Sequence, residues 1–314
     1  MTCNSNEQPI FAAMSLHVAY APVYVHAVPE NHRFPMEKYH LLHRQLLFEG
    51  TVTEEQFFQP EKLDLTYALA VHTPEYLDKL LRLQCTPREQ RVSGFTHSQE
   101  LIDRELTIME GTRLCAEKVL KGGIALNIAG GTHHAYTDRG EGFCLLNDQA
   151  IAAKWLLNKG LAKRILIIDL DVHQGNGTAE IFQNEQAVFT FSMHGASNYP
   201  LKKETSDCDI EVPDGSGDAL YLELLTAKLH EIMEDFQPGF LFYQCGVDVL
   251  ESDALGKLNL SIQGCRERDR IVLETAKKYE LPIVCSMGGG YSKDIRVILE
   301  AHANTFRLAN YFFG

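Results

Sequence analysis

Apolar and polar residues follow two rhythms along the chain. Short blocks of branched and aromatic residues at 16–20, 124–128, 165–168, 187–193, 240–244 and 283–287 read as buried strands, and Leu69-Ala70-Val71-His72 reads as a further short one. Between them, apolar residues recur at helical spacing. Leu220, Leu224, Leu225, Leu229, Ile232 and Met233 mark a helix over 219–235. Others are predicted from Pro35 through Leu47 and over 74–81, 99–121, 147–159, 178–183, 263–279 and 292–310. Thr73-Pro74-Glu75 is a helix entry, and Asn147 or Asp148 caps the helix that follows it. Residues 86–98 are charged and aperiodic, a loop placed to rim a site, and 194–218 are polar and irregular. Strands alternating with helices predict a parallel sheet wrapped by helices in one α/β domain over 15–314, behind a loose leader at 1–14.

Composition narrows the partners. The formal net charge is −13, which opposes direct binding to nucleic acid and suits a basic substrate, although many proteins are simply acidic. Eight cysteines are scattered with no C-x-x-C spacing, as reduced thiols would be; Cys144 and Cys245 sit in apolar, Gly-flanked segments where packing explains them. The N-terminus has no signal-peptide pattern, and no window approaches the roughly 20 apolar residues of a membrane span. The expectation is a cytoplasmic protein, with the nucleus also open to a eukaryotic one.

The strand at 165 runs out through Asp169-Leu170-Asp171-Val172-His173 into Gly175 and Gly177. Side chains two apart in extended chain share a face, so Asp169, Asp171 and His173 are expected together at the strand's C-terminal tip, where parallel sheets bind ligands. By itself this is also what an Asp-rich turn looks like. The other strand ends change that. His133-His134 follows the strand at 124, Asp253 the strand at 240, and Tyr291 the strand at 283. Each has an ordinary explanation alone. Asp253 could cap a helix, and Gly288-Gly289-Gly290 could cradle a phosphate, though no P-loop Lys-Ser/Thr follows it. Together they assemble a hydrolytic site. Asp171, His173 and Asp253 supply three ligands to a metal with an open position, zinc by preference and Fe²⁺ also tolerated. The tandem imidazoles supply a base and a proton donor, Asp169 orients one of them, and Tyr291 polarises a carbonyl. The reaction is metal-assisted hydrolysis of an amide. Phe143 is either a core aromatic or a pocket wall.

Gly130-Gly131-Thr132-His133-His134, Gly142-Phe143-Cys144, Asp169 through Gly177, Gly246-Val247-Asp248 through Asp253-Ala254-Leu255-Gly256, and Gly289-Gly290-Tyr291 occur in an order that resembles the zinc-dependent histone deacetylase family of the arginase/deacetylase fold. The form Asp-Leu-Asp-x-His-Gln-Gly-Asn-Gly is most similar to the class IV branch and its bacterial relatives. The resemblance implies an eight-stranded parallel sheet with helices on both faces. It makes Asp171, His173 and Asp253 the metal ligands and His134 the principal base and acid. His133 would be its electrostatic partner, held by Asp169, and Tyr291 would bind the acyl carbonyl. Gly142 and Phe143, with Tyr199 opposite, would line a tunnel for the lysine methylenes. Asp169, Asp171, His173, Ser192 and Met193 stand where family members hold a structural potassium ion. The implied reaction is attack of a metal-activated water on the amide of N-acyl-lysine, acetyl or longer, in a protein or peptide. An acetylated polyamine is the alternative substrate, and an inactive acyl-lysine-binding module is the remote alternative. A binuclear arginase-type site would need further ligands where this chain has Leu170. One departure stands out: Asn176 replaces the Asp of several members, which removes a charge beside the second tandem imidazole and lowers its pKa.

Overall fold

In this computed structural model residues 16–30 and 32–314 are described, so the leader expected over 1–14 lies outside the described residues. The apolar blocks form the strands. In chain order they are β1 (Leu16–Ala19), β2 (Phe57–Phe58), β3 (Ile124–Asn127), β4 (Ile165–Asp169), β5 (Val188–Gly195), β6 (Cys208–Val212), β7 (Phe240–Gln244) and β8 (Ile283–Ser286). The helices are α1 (Lys38–Phe48), α2 (Leu65–Ala68), α3 (Pro74–Leu81), α4 (Pro87–Ser93), α5 (Gln99–Lys118), α6 (Asp148–Asn158), α7 (Asn176–Phe182), α8 (Asp218–Phe236), α9 (Ile262–Lys278) and α10 (Ile295–Phe313).

All eight strands pair in parallel, in the order β2-β1-β3-β8-β7-β4-β5-β6. Every residue of β3, β4, β7 and β8 is buried, as expected of central parallel strands covered on both faces. Helix α5 packs on β1, β3 and β8 and against α6, while α1, α10, α9 and α8 pack in a row with α10 over β1 and β3. The four central strands are those whose C-terminal loops carry the chemistry, so the topology gathers four distant segments along one sheet edge.

Three expectations are corrected. Residues 69–72 are not a strand but the turn after α2; Asp64 caps that helix by accepting the Thr66 N–H, and the N–H groups of Leu69, Ala70, Val71 and His72 bond back to its carbonyls rather than to a neighbouring strand. Residues 86–98 are not all loop. Thr86 and Glu89 form a capping box that starts α4, and Gly94 ends it with φ +81°. Strand β6 was hidden in the irregular stretch because it is an edge strand whose Asp209 and Glu211 alternate with Cys208, Ile210 and Val212. His72, the last residue of that expected strand, is buried. Its Nδ1–H donates to the Tyr136 carbonyl at 2.9 Å, and its Nε2 accepts the Asn147 N–H at 3.0 Å.

Candidate active site

The floor of the site begins where β4 ends. Asp169, Asp171 and His173 do not share an extended face, because the strand stops at Asp169 and the chain bends. Carboxylate–amide turns gather them instead. The Asp171 N–H donates to Asp169 Oδ1 at 3.2 Å, and the His173 N–H donates to Asp171 Oδ1 at 3.0 Å. His173 Nδ1 lies 3.0 Å from Asp171 Oδ1 and 3.2 Å from Asp248 Oδ2. One donor atom from each of Asp171, His173 and Asp248 lies within 4.8 Å of the others, and all three residues are buried. Burial opposes charge on His173, but Asp171 and Asp248 outweigh it and raise its pKa to about 10. Burial and the neighbouring Asp171 carboxylate push the Asp248 carboxyl up to about 7.

Asp248 was not singled out from the sequence, whereas Asp253 was. Asp253 Oδ1 accepts the N–H groups of Leu255 (2.8 Å) and Gly256 (2.9 Å), and its Oδ2 accepts the Tyr291 N–H at 2.6 Å. It thus ties the β7 loop to the β8 loop and fixes where Tyr291 begins. Two accepted bonds fill one oxygen; the other keeps a lone pair for a further partner.

The tandem histidines stand side by side with ring centroids 4.1 Å apart, in opposite settings. His133 Nδ1 is 2.7 Å from Asp169 Oδ2. Burial works against its charge, but Asp169 and Asp171 prevail and raise its pKa to about 9. His134 Nδ1 is 2.6 Å from Asn176 Oδ1, a neutral amide. Burial first, then the His133 and His173 rings, hold its pKa well below the ordinary value. The surroundings thus favour the imidazolium form of His133 and the neutral form of His134.

Residues with no obvious sequence signal hold this floor. Asp148, expected only as a helix cap, accepts the N–H groups of Gly131 and Thr132 on Oδ1, both at 2.9 Å, and the hydroxyls of Thr112 and Ser286 on Oδ2, both at 2.7 Å. It therefore shapes the turn before His133; the helix itself is capped by Asn147. Arg268 of α9 is fully buried. Its Nη1 donates to the carbonyls of Leu170 (3.1 Å) and Gly246 (2.5 Å), joining the two carboxylate-bearing loops, and its Nη2 pairs with Asp269 at 2.8 Å. Lys38 is 0% exposed. Its ammonium donates to the Gly288 carbonyl at 3.0 Å and lies near the rings of Phe34, Tyr39 and Tyr291. Burial lowers its pKa to about 8 against the pull of Asp248, Asp171 and Asp253.

Above the floor, Gly142 has φ +52°, and a Cβ there would meet the His134 ring at 2.6 Å, so only glycine fits. The N–H groups of Gly142 and Phe143 donate to the carbonyls of Val92 and Ser93, which hangs this wall on α4. Phe143 stands 6.0 Å from the Tyr291 ring, and Tyr199 lies edge-on to His134 at 5.0 Å. Both expected wall residues therefore face the site. The mouth is a cavity of about 550 Å³ lined by Val92, Phe143, Tyr199, Leu255 and Lys257 among others. The space over the floor, lined by His133, His134, Asp171, His173 and Tyr291 and reaching Tyr39 and Ile108, is only about 30 Å³. Ser192 pairs in register with Asp169 across β4 and β5, and Met193 follows it, buried.

Comparison with known proteins agrees with the geometry. The model of the histone deacetylase domain matches residues 32–306. The chain is 44% identical to an uncharacterized protein of Picosynechococcus over 94% of its own length and 99% of the relative's. It is 32% identical to a probable deacetylase of Archaeoglobus fulgidus (79% and 73% covered) and 30% identical to histone deacetylase 2 of Arabidopsis thaliana (88% and 74%). The solved structure of a histone deacetylase homologue from Aquifex aeolicus superposes with a TM-score of 0.80 at 26% identity, over 95% of this chain and 84% of that one. A homologue complexed with the inhibitor SAHA gives 0.79 at 25% identity, over 95% and 84%. With its eight-stranded parallel sheet and most of its length matched, this chain belongs to the histone deacetylase family.

Proposed function

We propose that this chain hydrolyses the amide of a short-chain N-acyl-lysine, acetyl-lysine first, in a protein or peptide, using zinc held by Asp171, His173 and Asp253. The observation that carries the reading is the pair of imidazoles in opposite protonation settings beside a buried carboxylate cluster. The donor set fits a divalent cation. Asp171 Oδ1 lies 3.0 Å and Asp248 Oδ2 3.2 Å from His173 Nδ1, and Asp253 Oδ2, which accepts the Tyr291 N–H, keeps a lone pair for a further partner, so these oxygen and nitrogen donors are short of positive charge. Fe²⁺ would fit the same donors. When bound, the ion supplies Lewis acidity toward the acyl carbonyl and toward water.

The protein's own groups do the rest. His134, proton-free on Nε2, accepts a proton from water as the water attacks and returns it to the departing lysine amine. His133, kept protonated by Asp169, supplies positive charge close to the developing oxyanion. Tyr291 donates its hydroxyl to that oxygen; burial and the nearby carboxylates keep the phenol protonated. Phe143 and Tyr199 exclude water around the methylenes of the substrate side chain. Asp248 braces the Val172 N–H at 2.9 Å and thereby the loop that bears Asp171 and His173.

The inner space sets the acyl length. About 30 Å³ of open space over the whole floor has room for one or two waters, which favours an acetyl group over a fatty chain. The mouth favours a peptide over an acetylated polyamine. Lys257 lines it, and Glu141, the one carboxylate among the described residues lining it, is already engaged by Arg139 and Tyr199. A second free amine would therefore meet a cation there. The test is a steady-state panel of acetyl-lysine peptide, myristoyl-lysine peptide and acetylspermidine on wild type and Tyr291→Phe, with zinc content measured in both. Turnover of the first substrate, lost in the variant with zinc retained, is expected. Preference for either of the others overturns the substrate assignment, and turnover of none overturns the hydrolase.

A further inference from the structure

We propose that Tyr136 is a positioning residue. Through a one-way chain of hydrogen bonds from Glu204 to Asn176, it fixes which nitrogen of His134 carries the proton. The proposal rests on the reading of His134 as the base. It explains how a neutral amide at 176 can serve the site.

The direction of the chain follows from what each group can do. The Glu204 carboxylate can only accept. The Tyr136 hydroxyl lies 3.2 Å from Glu204 Oε1 and must donate its single proton there. Having given that proton away, the Tyr136 oxygen can only accept from Asn176 Nδ2 at 2.9 Å. The amide is thereby oriented with its NH₂ toward Tyr136 and its Oδ1 toward His134, at 2.6 Å. An amide oxygen only accepts, so His134 must donate Nδ1–H, and Nε2 is left bare. Reversing the amide would present a donor to Nδ1, move the imidazole proton to Nε2 and remove the base.

Every link is held from elsewhere. Asn176 is buried at the start of α7. The Tyr136 carbonyl accepts from His72, its N–H donates to the Arg139 carbonyl at 2.9 Å, and the Arg139 guanidinium covers its ring at 3.5 Å. Burial and the carboxylates of Glu141 and Glu204 push its phenol up to about 12, so it stays a donor. Glu204 is clasped by Gln174, whose Nε2 donates to the Glu204 carbonyl at 2.8 Å and whose Oε1 accepts the Glu204 N–H at 2.9 Å. Gln174 and Asn176, the two motif positions flanking Gly175, thus serve one purpose.

A carboxylate at 176 would offer an acceptor at both ends and could not be turned the wrong way. Dependence on Tyr136 should therefore vanish in Asn176→Asp, which gives the test. Tyr136→Phe in the natural background should lower kcat about tenfold with KM within about twofold. The same substitution in Asn176→Asp should cost less than about twofold. Glu204→Ala, a change on a half-buried loop that leaves the core intact, should lower kcat about threefold, because water takes over part of its role. Histidine-¹⁵N NMR of the full chain, with and without zinc and with His134 assigned by its loss in His134→Gln, should show Nδ1 protonated and Nε2 bare in wild type, and a mixture in Tyr136→Phe. Equal losses from Tyr136→Phe in both backgrounds would mark a merely structural role, and a wild-type spectrum with Nε2 protonated would sink the chain outright. If no acyl substrate is turned over, the proposed hydrolase fails, while the nitrogen spectrum still decides the position of the proton.

Discussion

The floor and the mouth of this site are built on different principles. On the floor the charged groups are buried, except Asp253, which is half-buried, and most are bound by several partners. Asp148 accepts four bonds at 2.9 Å or shorter from three separate segments, and Arg268 ties two loops to one helix. In that setting charges are unscreened, and removing one strands the others. At the mouth, Tyr199 is 39% exposed and Leu201 is 96% exposed, and the pairs that cross it, Glu141 with Arg139 and Lys257 with Ser197, are those of a surface. Such pairs are worth little. Chemistry should therefore depend steeply on the floor, and selection among substrates shallowly on the mouth.

The steepest dependence belongs to Asp171. Asp171→Asn takes the charge from a proposed ligand and leaves one acceptor oxygen where Asp171 uses two, Oδ1 toward His173 Nδ1 and Oδ2 for the Gly289 N–H at 3.0 Å. Zinc content by elemental analysis should fall to background, and turnover should fall more than about a thousandfold. Retention of metal with full turnover would remove Asp171 from the floor. Next is Tyr291→Phe, which takes away one donor to the developing oxyanion. It should lower kcat by about 10²–10³ with zinc content unchanged. Arg268→Met tests the frame rather than the reagents. It leaves Asp269 buried beside Tyr243 and Thr305 and frees the carbonyls of Leu170, Cys245 and Gly246, so denaturant unfolding should show a loss of about 3–5 kcal/mol. A loss under about 1 kcal/mol would mean that the loops hold themselves.

The same division explains what could be read from the sequence. The sheet was legible because central parallel strands are uninterrupted apolar runs, as Ile165-Leu166-Ile167-Ile168 is, and because β3, β4, β7 and β8 each end in a polar cluster. The side chains proposed to react were legible as candidates because His133-His134, Asp171 with His173, Asp253 and Tyr291 each follow a different apolar strand, so that four ordinary features converge on one sheet edge. Their supports were not. Lys38 at the head of a helix and Arg268 within Arg266-Glu267-Arg268-Asp269-Arg270 look like solvated positions; only the tertiary fold buries them. Asp148 satisfies the pattern of a cap while acting as a bracket. Asp248 lies in a quoted motif, yet nothing in its spacing from Asp253 says which carboxylate closes on His173. Strands β2 and β6 are edges, one too short and the other too polar to give a pattern.

Smaller effects separate the two histidines. Asn176→Asp puts a carboxylate against His134 Nδ1 and favours the imidazolium, so the His134 pKa rises. The base must be neutral to act. Raising its pKa means that activity is lost at a higher pH as the solution is acidified, and the acidic limb of kcat/KM should move up by about one to two units. His133 already has its carboxylate, and its protonated form is the useful one. Weakening that partner in Asp169→Asn should instead bring down the alkaline side of the profile. An acidic limb that stays in place in Asn176→Asp would mean that His134 is not the group titrating there.

The smallest effect belongs to the mouth. Glu141 joins Arg139 to Tyr199, whose ring stands edge-on to His134. Glu141→Ala releases the phenol and leaves Arg139 with Asp138 as its acidic partner. The Tyr199 ring is only half held by its surroundings, so it gains freedom while the floor below keeps its bonds. KM for an acetyl-lysine peptide should rise about two- to fivefold, with kcat within about twofold. The effect should shrink for a substrate reduced to acetyl-lysine amide, which reaches less of the rim. A fall in kcat as large as that of Tyr291→Phe would show that the rim reaches into the chemistry and would erase the division between floor and mouth.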